Sequence, residues 1–545
     1  MNQHLPGIVV TGASGFIGRH FIESARGKYR LFCLARRSQK EAGIPVDKNI
    51  RWTQVDIAEW DNLREVVRCI KTHGSADFVL HLAGYYNFNY NPHPEYKRTN
   101  VDGTQHILKL GKLIGIKRFI FASSLAACNF PPAGQSVTEE TSPDASFPYA
   151  WSKRLGEEMM ANHTSWFPIT TLRLAAIYSD WCEYPPLYMF LKTWLSNNWN
   201  NRILGGKGDS AVTYLHIQDL IKLIFLIIEK SDSLPRKCTY NASPSGSTSH
   251  IELYKTATRY YYGRDVRPIR APKSLATVGM LFRQWLGDLF RKPPFERFWM
   301  AKYIDKKLTV DAAQTFNKLG WKPTPRHDIL RRLLFLIENM KTYPEAWDYK
   351  NKLALNRIGQ RPNLIIYDSL AGSRQEMIDE IFNYLCGPEN SERFPRYQKM
   401  PEDTLRWYLT FIYQLLMTAV RTRDRLVFKN YARMIAQRRY TEGFSNNEVL
   451  DAMRSMGELI SAKLLLIPQL KDVHERIYDL VSLTFQMVTD EIEGYQERIS
   501  AEPPEFMQEL PNLLPSDTRD LERIVHEFED ICQDISEKRF CPKSE

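Results

Sequence analysis

Tyr149 and Lys153 lie four residues apart in the segment Y-A-W-S-K, so a helix would place a phenol and an ammonium on one face. A free tyrosine has a pKa of about 10 and is a poor base at neutral pH. A neighbouring cation stabilises the phenolate and lowers that pKa, which suits proton transfer at a substrate oxygen. The alternative is a solvated surface pair, because this spacing also arises by chance in helices.

A second chemical signal is the segment I-V-V-T-G-A-S-G-F-I-G-R-H at residues 8–20, which sets Gly12, Gly15 and Gly18 between an apolar strand and a helix. Glycine tolerates positive φ, and without a Cβ it lets a pyrophosphate approach the amides of a helix N-terminus. A nucleotide cradle followed by an activated tyrosine indicates hydride transfer at a carbonyl or alcohol. A tight turn that binds no ligand is the alternative.

The elements that must position these groups resemble the extended short-chain dehydrogenases/reductases. This superfamily also contains sugar epimerases, dehydratases and 3β-hydroxysteroid dehydrogenase-like members. The resemblance spans roughly residues 6–345 and rests on segments in the expected order: T-G-A-S-G-F-I-G at 11–18, V-D-I at 55–57, F-V-L-H-L-A-G at 78–84, T-N-V-D-G-T at 99–104, F-I-F-A-S-S at 119–124, Y-A-W-S-K at 149–153, L-H-I-Q-D-L at 215–220 and K-L-G-W-K-P at 318–323.

The resemblance implies a catalytic set of Ser124, Tyr149 and Lys153. Tyr149 would exchange a proton with the substrate oxygen, Ser124 would hold that oxygen, and Lys153 would also bind the cofactor ribose. Ser124 lies 25 residues before Tyr149, which fits the family spacing better than Ser123 does. The implied cofactor contacts are Thr11, Gly12, Ser14, Gly15, Phe16, Ile17, Gly18, Asp56, Ile57, Leu82, Ala83, Gly84, Asn100, Tyr149 and Lys153.

The choice of cofactor depends on the end of the second strand, Tyr29 to Leu34. An acidic residue there selects NAD, whereas an arginine accommodates the phosphate of NADP. Arg36 and Arg37 follow this strand, and the planar guanidinium suits a phosphate. NADP(H) is therefore favoured over NAD(H), and two solvated loop arginines are the alternative.

A candidate substrate wall follows Gly84, where Tyr85, Tyr86 and Phe88 head an aromatic-rich loop. Aromatic rings suit an apolar or ring-bearing small-molecule substrate, with Ser124 as a further contact. Packing of the loop against its own domain is an equal alternative. Residues 178–186, Y-S-D-W-C-E-Y-P-P, depart from the epimerase-like Tyr-Gly-Pro pattern, which favours the hydroxysteroid dehydrogenase-like branch. Arg173 is interpreted as a packed residue in an ion pair, and a substrate-binding arginine is the alternative.

A length of 545 residues predicts two or more domains. The expected fold is α/β, with a Rossmann-type doubly wound parallel sheet and a small substrate subdomain, followed by an all-α helical bundle. We expect the first domain over residues 1–345, a polar linker over 346–369 and the bundle over 370–500. The remaining residues, 501–545, are predicted to be a tail with a docking helix.

The net charge of +10 is modest for this length, and no basic nucleic-acid motif is present. The eight cysteines show no metal-ligand spacing, so reduced thiols in a cytoplasm and no metal site are expected. No run is long and apolar enough to span a bilayer. Residues 273–302 mix apolar and basic side chains, which predicts either a peripheral membrane contact or a lid or core helix of the substrate subdomain.

The C-terminal part also resembles a known domain, the helical globin-like sensor of stressosome co-antagonist proteins. The segments D-T-L-R-W-Y-L at 403–409 and A-Q-R-R-Y-T-E-G-F-S-N-N-E-V-L at 436–450 carry this likeness. It implies a regulatory or oligomerising bundle that binds a protein partner or a second copy. An oxidoreductase is the leading function, and a redox sensor or scaffold and a nucleotide-sugar epimerase or dehydratase are the alternatives.

Overall fold

The computed structural model describes residues 5–87, 92–289, 297–358, 362–423 and 425–501. The chain divides into two compact units, Met1–Gln360 and Arg361–Glu545. The strands all lie in the first unit: β1 Gly7–Thr11, β2 Arg30–Ala35, β3 Ile50–Gln54, β4 Phe78–His81, β5 Arg118–Ser124, β6 Ile169–Leu174, β7 Ala176–Tyr178, β8 Ile203–Gly205, β9 Ala211–Val212, β10 Tyr214–His216, β11 Lys237–Ala242, β12 Thr248–Ser249 and β13 Ile269–Ala271.

The α-helices of the first unit alternate with these strands. They are α1 Phe16–Ala25, α2 Trp60–Thr72, α3 Gly103–Ile114, α4 Pro148–Asn162, α5 Pro185–Trp194, α6 Ile217–Glu229, α7 His250–Tyr262, α8 Lys273–Leu289, α9 Ala313–Leu319, α10 Ile329–Thr342 and α11 Pro344–Ile358. A π-helix over Tyr96–Asp102 leads directly into α3. The short 3-10 helices are Leu125–Ala127, Ser231–Ser233, Phe298–Tyr303 and Pro325–His327.

Seven parallel strands form one sheet in the order β11-β6-β5-β4-β1-β2-β3. The chain moves outward from β1 through β2 to β3, then crosses back so that β4 pairs with the other side of β1. Such a reversal opens a crevice at the carboxyl ends of the two central strands. The structure therefore places the glycine turn after β1 and residues 82–84 after β4 at the same edge.

Alternate residues of β1 pack into two different cores because successive side chains of a strand point to opposite faces. Ile8 and Val10 pack in one cluster with Phe21 of α1, and Val9 packs in another with Ile107 of α3. Helices thus cover both faces of the sheet. The doubly wound Rossmann-type fold predicted from the sequence is confirmed.

A third core, rich in aromatic side chains, lies outside the main sheet. Its buried members include Tyr178, Tyr188, Trp194, Tyr214 and Tyr254. They belong to short strands and helices that follow β6 in the sequence, where the substrate subdomain is expected. This core forms the surroundings of residues 178–186.

Helix α11 replaces the irregular segment predicted to begin at residue 346. Trp347, Asn351 and Ala354 are buried at spacings of four and three, so one helix face packs inward although the segment is polar overall. Asn351 accepts a hydrogen bond from the Glu183 amide at 2.9 Å and donates to the Trp181 carbonyl at 2.8 Å. The prediction of a linker is wrong for these residues, which are part of the first unit.

The second unit is helical throughout its described residues. Its helices are α12 Pro362–Gly372, α13 Arg374–Cys386, α14 Glu402–Thr422, α15 Leu426–Thr441, α16 Asn446–Leu466, α17 His474–Ile477 and α18 Leu483–Ala501, with 3-10 helices over Pro388–Asn390 and Pro468–Val473 and a π-helix over Tyr478–Ser482. The apolar faces of these helices form one continuous core. The predicted bundle is thus present, and the predicted docking helix in 501–545 lies outside the described residues except for Ala501, the last residue of α18.

The start of α16 shows where local sequence signals hold and where they fail. Ser445, which lies three residues before Glu448, caps this helix, because its hydroxyl accepts from the Glu448 amide at 3.2 Å. The Glu448 carboxylate does not complete a capping box. It instead accepts from the amides of Arg396 at 2.7 Å and Tyr397 at 3.2 Å, in the loop before α14. Across the described helices, none has the length and apolar character needed to cross a bilayer.

A buried chain of hydrogen bonds ties the glycine turn to β4 and α3. The Thr104 hydroxyl donates to the Asn100 carbonyl, so it can only accept from His81 Nε2, at 2.9 Å. His81 Nδ1 then accepts from the Thr11 hydroxyl at 2.7 Å, and the Thr11 oxygen accepts from the Ala83 amide. The imidazole is therefore neutral, with its proton on Nε2. Burial lowers the pKa of His81 to about 3.

Because His81 titrates near pH 6.5 when unfolded and at about 3 when folded, its contribution to stability is complete above pH 6.5. That contribution is lost as the pH falls from about 6.5 to about 3, since the unfolded chain then binds the extra proton. The unfolding free energy of His81→Phe should therefore depend less steeply on pH across this window, by up to one proton. Urea unfolding at a series of pH values measures the two slopes, and identical slopes would contradict this tautomer and its burial.

The first unit should end with α11. A chain of residues 1–358 should unfold cooperatively, whereas a chain ending at Ala346 should lose about 3–5 kcal/mol, the usual cost of removing a buried tryptophan. In the longer chain, Trp347→Ala should reproduce most of this loss, and Tyr349→Ala, on the exposed side of α11, should not. Equal urea midpoints for the two chain lengths would show that α11 does not belong to the unit.

Candidate functional site

The turn between β1 and α1 leaves no room for side chains at its glycines. Gly12 has φ +66°, and a Cβ built there would lie 2.8 Å from the Ala83 amide nitrogen. A Cβ on Gly15 or Gly18 would lie 2.9 or 2.5 Å from the Gly12 carbonyl oxygen. Gly15 is the N-cap of α1, with Phe16 and Ile17 in its first turn. The turn therefore presents backbone amides at the open edge, the arrangement that binds phosphate groups.

Arg37 supports this turn because its Nη2 donates to the Ser14 carbonyl at 2.8 Å. The backbone of Arg36 and Arg37 is itself held from β3. The Gln54 side-chain amide donates to the Arg36 carbonyl at 3.1 Å, and the Trp52 indole donates to the Arg37 carbonyl at 2.9 Å. Both arginines thus lie at the end of β2 as the sequence predicts, but only Arg37 contacts the glycine turn through a described hydrogen bond.

Arg36 faces a carboxylate that the sequence does not reveal. Its Nη1 lies 3.6 Å from Glu95 Oε2, and the Glu95 side chain is almost fully buried. Glu95 also accepts from the Thr99 hydroxyl at 2.6 Å and lies 3.8 Å from Arg98. Arg98 lies 3.8 Å from Asp56 Oδ2. The end of β2 therefore holds cations and carboxylates together, not arginines alone.

Residues after β3 and β4 line the same edge. Asp56 Oδ1 accepts from the Ala58 amide at 3.0 Å, and Ile57 packs so closely on Gly103 that a Cβ there would lie 2.8 Å from it. Leu82 and Ala83 are half-buried, and Gly84 is exposed. These residues lie where the sequence predicts a cofactor.

Asn100 positions the loop after Gly84 with both ends of its side-chain amide. Its oxygen accepts from the Tyr85 amide at 2.6 Å, and its nitrogen donates to the Tyr85 carbonyl and the Ser152 hydroxyl, each at 2.9 Å. The amide is thus engaged by protein groups, so Asn100 holds the site in shape. A Cβ built on Gly84 would lie 3.6 Å from both Asn100 Oδ1 and Lys153 Nζ.

Ser124 and Tyr149 meet at the end of β5. Ser124 is the last residue of the strand, and its oxygen accepts from the Ala126 amide at 3.2 Å, which fixes its rotamer. Loss of water around the Tyr149 phenol raises its pKa to about 12, while a hydrogen bond with Ser124 acts in the opposite direction. Tyr149 therefore holds its proton at neutral pH, and the sequence-based prediction of a lowered pKa is wrong for this environment.

Lys153 lies one turn further along α4 and is almost fully buried. Its ammonium donates to the Ala122 carbonyl at 2.7 Å and lies 5.9 Å from the centre of the Tyr149 ring. Burial lowers the pKa of Lys153 to about 8, and the nearby Glu157 carboxylate opposes that change. The ammonium remains largely charged at neutral pH and is fixed beside Gly84.

The predicted aromatic wall is present only in part. Tyr86 packs edge-on against Tyr149 at 4.6 Å between ring centres, and Phe147 lies 6.4 Å from Tyr149. Tyr85 is 2% exposed and packs inside its own loop against Tyr96, so its assignment to the substrate wall is wrong. An aromatic-rich loop sequence is typical both of packing within a domain and of ligand binding, so the residue types alone do not predict that Tyr85 is buried. Phe88 lies outside the described residues.

Ser123 and Arg173 form a structural network around the Glu157 carboxylate. The Ser123 hydroxyl donates to Glu157 Oε1 at 2.5 Å, and Arg173 pairs with Glu157 Oε2 at 2.8 Å. Arg173 also donates to the Thr141 carbonyl at 2.6 Å. The interpretation of Arg173 as a packed, ion-paired residue is confirmed.

Tyr184, which the sequence analysis missed, lies close enough to Tyr149 for the two phenols to interact electrostatically. It follows Cys182 and Glu183, two successive non-glycine residues with φ of +70° and +52°. Glu183 lies 3.4 Å from Arg19 and 3.5 Å from His20 on α1, which anchors this strained turn to the helix of the glycine turn. The departure of residues 178–186 from the Tyr-Gly-Pro pattern was the sequence signal that could have pointed to Tyr184 and this turn.

The residues at this edge fit a dinucleotide. The turn has space only for backbone, and Arg36 Nη1 is buried without a hydrogen-bond partner in the described part of the chain. Gly84 exposes its backbone beside Lys153. A phosphate group at the turn and ribose hydroxyls near Lys153 would satisfy these groups.

Comparison with known proteins agrees with this geometry. Residues 8–243 match the model of the NAD dependent epimerase/dehydratase family. The chain is 22% identical over 359 residues to 3beta-hydroxysteroid-dehydrogenase/decarboxylase isoform 1 of Arabidopsis thaliana, covering 61% of this chain and 80% of that protein. It is 22% identical over 272 residues to dTDP-D-glucose 4,6-dehydratase of Dictyostelium discoideum, covering 46% of this chain and 60% of that protein.

A shorter match, 30% identical over 124 residues, is to isoform 2 of the Arabidopsis thaliana enzyme and covers 21% of this chain and 22% of that protein. The chain thus spans less than two thirds of the length of several of these relatives. Among solved structures, the UDP-glucose 4-epimerase of Thermotoga maritima with UDP-glucose is 21% identical, with a TM-score of 0.48 over 62% of this chain and all of that one. Over residues 8–243, the sequence of this chain therefore matches the NAD dependent epimerase/dehydratase family, and the parallel sheet of the first unit agrees with that match.

Proposed function

We propose that the first unit transfers a hydride between a nicotinamide dinucleotide and the carbon of a ketone or alcohol. The convergence of Ser124, Tyr149 and Lys153 beside the exposed Gly84 is the observation that carries this proposal. The bound dinucleotide supplies or accepts the hydride. The three side chains transfer the proton to or from the substrate oxygen and stabilise the charge that develops on it.

In the reducing direction, Tyr149 donates its proton to the oxygen of the substrate as the carbonyl carbon gains the hydride. A phenol with a pKa of about 12 is fully protonated at neutral pH and is ready to donate. The Ser124 hydroxyl stabilises the same oxygen and fixes its position. The reverse reaction needs a phenolate, so it requires additional positive charge near Tyr149, which an oxidised nicotinamide ring would provide.

Lys153 serves the cofactor as well as the charge balance. One of its three N–H bonds is directed to the Ala122 carbonyl, and the remaining donors are available to ribose hydroxyls. Fixing the ammonium in this way keeps its positive charge near Tyr149.

An apolar or ring-bearing substrate is the main candidate. Tyr86, Phe147 and Tyr184 surround Tyr149, and aromatic faces favour flat or cyclic apolar molecules. The similarity to a hydroxysteroid dehydrogenase/decarboxylase supports this choice. The contribution of the helical unit would then be regulatory.

A nucleotide-sugar reaction is the second candidate, because a dTDP-glucose dehydratase and a UDP-glucose epimerase are among the similar proteins. Elimination of water needs an acid and a base in addition to Tyr149. The set of Ser124, Tyr149 and Lys153 described above does not include this additional acid and base, so the set fits epimerisation better than dehydration. A redox sensor would bind cofactor but would not need Tyr149.

The Tyr149 hydroxyl should be essential for turnover. Tyr149→Phe should reduce turnover of a panel of cyclic ketones by about 10²–10⁴-fold, the usual contribution of a general acid, with cofactor affinity nearly unchanged. Lys153→Met should weaken both. The matched control is Tyr254→Phe, which removes a buried hydroxyl with no hydrogen-bond partner in the described structure and should retain wild-type turnover. Turnover is followed by NADPH absorbance, and an active Tyr149→Phe would refute the assignment.

We further propose a preference for NADP(H), and the two arginines should contribute to it differently. Arg36→Ala should weaken NADPH binding by about 1–3 kcal/mol and leave NADH binding unchanged, because this side chain would contact only the extra phosphate. Arg37→Ala should weaken both cofactors, since it supports the Ser14 carbonyl at the glycine turn. Arg51→Ala, an exposed arginine on β3, is the control. Equal losses of NADPH and NADH affinity in Arg36→Ala would contradict its role in binding the phosphate of NADP(H).

A further inference from the structure

Helix α8 exposes an apolar stripe to solvent. Leu275, Val278, Leu281, Phe282 and Trp285 are each 53–63% exposed and lie within one side of the helix, because their spacings are multiples of three and four residues. The rings of Phe282 and Trp285 stack on each other with centres 6.0 Å apart. An apolar surface this continuous marks an interaction site more often than chance exposure does.

The opposite side of α8, which packs on the rest of the first unit, carries the half-buried Met280 together with small and polar residues. A Cβ built on Gly205 of β8 would lie 3.6 Å from the Ala276 Cβ, so the backbones approach closely there. The Gln284 side-chain oxygen accepts from the Phe298 amide at 2.9 Å. The usual polarity of a surface helix is therefore inverted, and the expectation of a core helix is wrong for this stripe.

Positive charge lies along the segment that leads into α8. Arg264, Arg267, Arg270 and Lys273 are all exposed, with the exposed Ile269 between them. The one acidic residue in this segment, Asp265, is paired with Arg259 at 2.7 Å. The apolar stripe is thus preceded in the sequence by a basic segment, residues 264–273. Within this segment, no carboxylate is left to neutralise these four positive charges.

We propose that α8 binds the surface of an anionic lipid bilayer, with its axis in the plane of the interface. The apolar stripe would enter the boundary between headgroups and acyl chains, where tryptophan is favoured. The basic segment would contact anionic headgroups. A second copy of this chain is a poorer occupant because a symmetric contact would bring two basic segments together. This proposal does not depend on the reaction catalysed by the first unit.

Co-sedimentation of the full chain with vesicles tests the proposal. The probes are vesicles of phosphatidylcholine alone and of phosphatidylcholine mixed equally with phosphatidylglycerol, at low and high salt. The chain should pellet with the anionic vesicles and much less with the neutral ones, and salt should reduce the binding. Arg270→Ala/Lys273→Ala should reduce the partition coefficient on anionic vesicles by about an order of magnitude.

Charged substitutions in the stripe distinguish vesicle binding through α8 from nonspecific binding of the protein to vesicles. Leu275→Glu/Phe282→Glu should abolish pelleting without changing the far-ultraviolet circular dichroism or the unfolding midpoint, since both side chains are already exposed. The control Val46→Glu/Leu466→Glu alters two apolar residues elsewhere that are even more exposed, and this variant should pellet like the wild type. The proposal is overturned if the wild type stays in the supernatant with anionic vesicles or if the α8 variant still pellets. It is also overturned if sedimentation equilibrium shows a dimer that the α8 variant dissociates, while vesicles bind neither form.

Discussion

The geometry of the site depends on one buried chain of hydrogen bonds that runs from the Ala83 amide through Thr11, His81 and Thr104 to the Asn100 carbonyl. Each hydroxyl in this series both accepts and donates when the imidazole between them is neutral, which is the form that burial of His81 favours. This series of hydrogen bonds joins the end of β1, the end of β4 and the start of α3, which are the three elements around the crevice. A change in any member would leave a buried polar group unpaired, and such a group is costly.

The proton-transfer groups are fixed by a second set of elements, the end of β5 and the first two turns of α4. Asn100 connects the two sets, because its side chain holds both the Tyr85 backbone and Ser152. The crevice and the proton-transfer groups are therefore held by connected hydrogen bonds. The strained turn at Cys182 and Glu183 closes the remaining side and is held by Arg19 of α1 and Asn351 of α11.

Signals confined to a short stretch were readable from the sequence. The glycine turn, the pairing of Tyr149 with Lys153 and the cap at Ser445 depend on backbone geometry within a few residues. Partners brought together by the fold were not readable. Glu95 beside Arg36, Glu448 on the loop before α14 and the burial of Tyr85 and Trp347 all depend on contacts between distant segments. The exposed stripe of α8 shows the same limit, because periodicity gives the faces of a helix but not which one faces the core.

The central claim is that the glycine turn and the Ser124, Tyr149 and Lys153 group serve one ligand. Crystals of the chain grown with NADP⁺ test it most directly. We expect electron density for the pyrophosphate at the amides of residues 12–18, for the nicotinamide ring beside Tyr149, and for a ribose hydroxyl about 3 Å from Lys153 Nζ. A dinucleotide bound elsewhere, or one that occupies the turn with its nicotinamide directed away from Tyr149, would contradict the account.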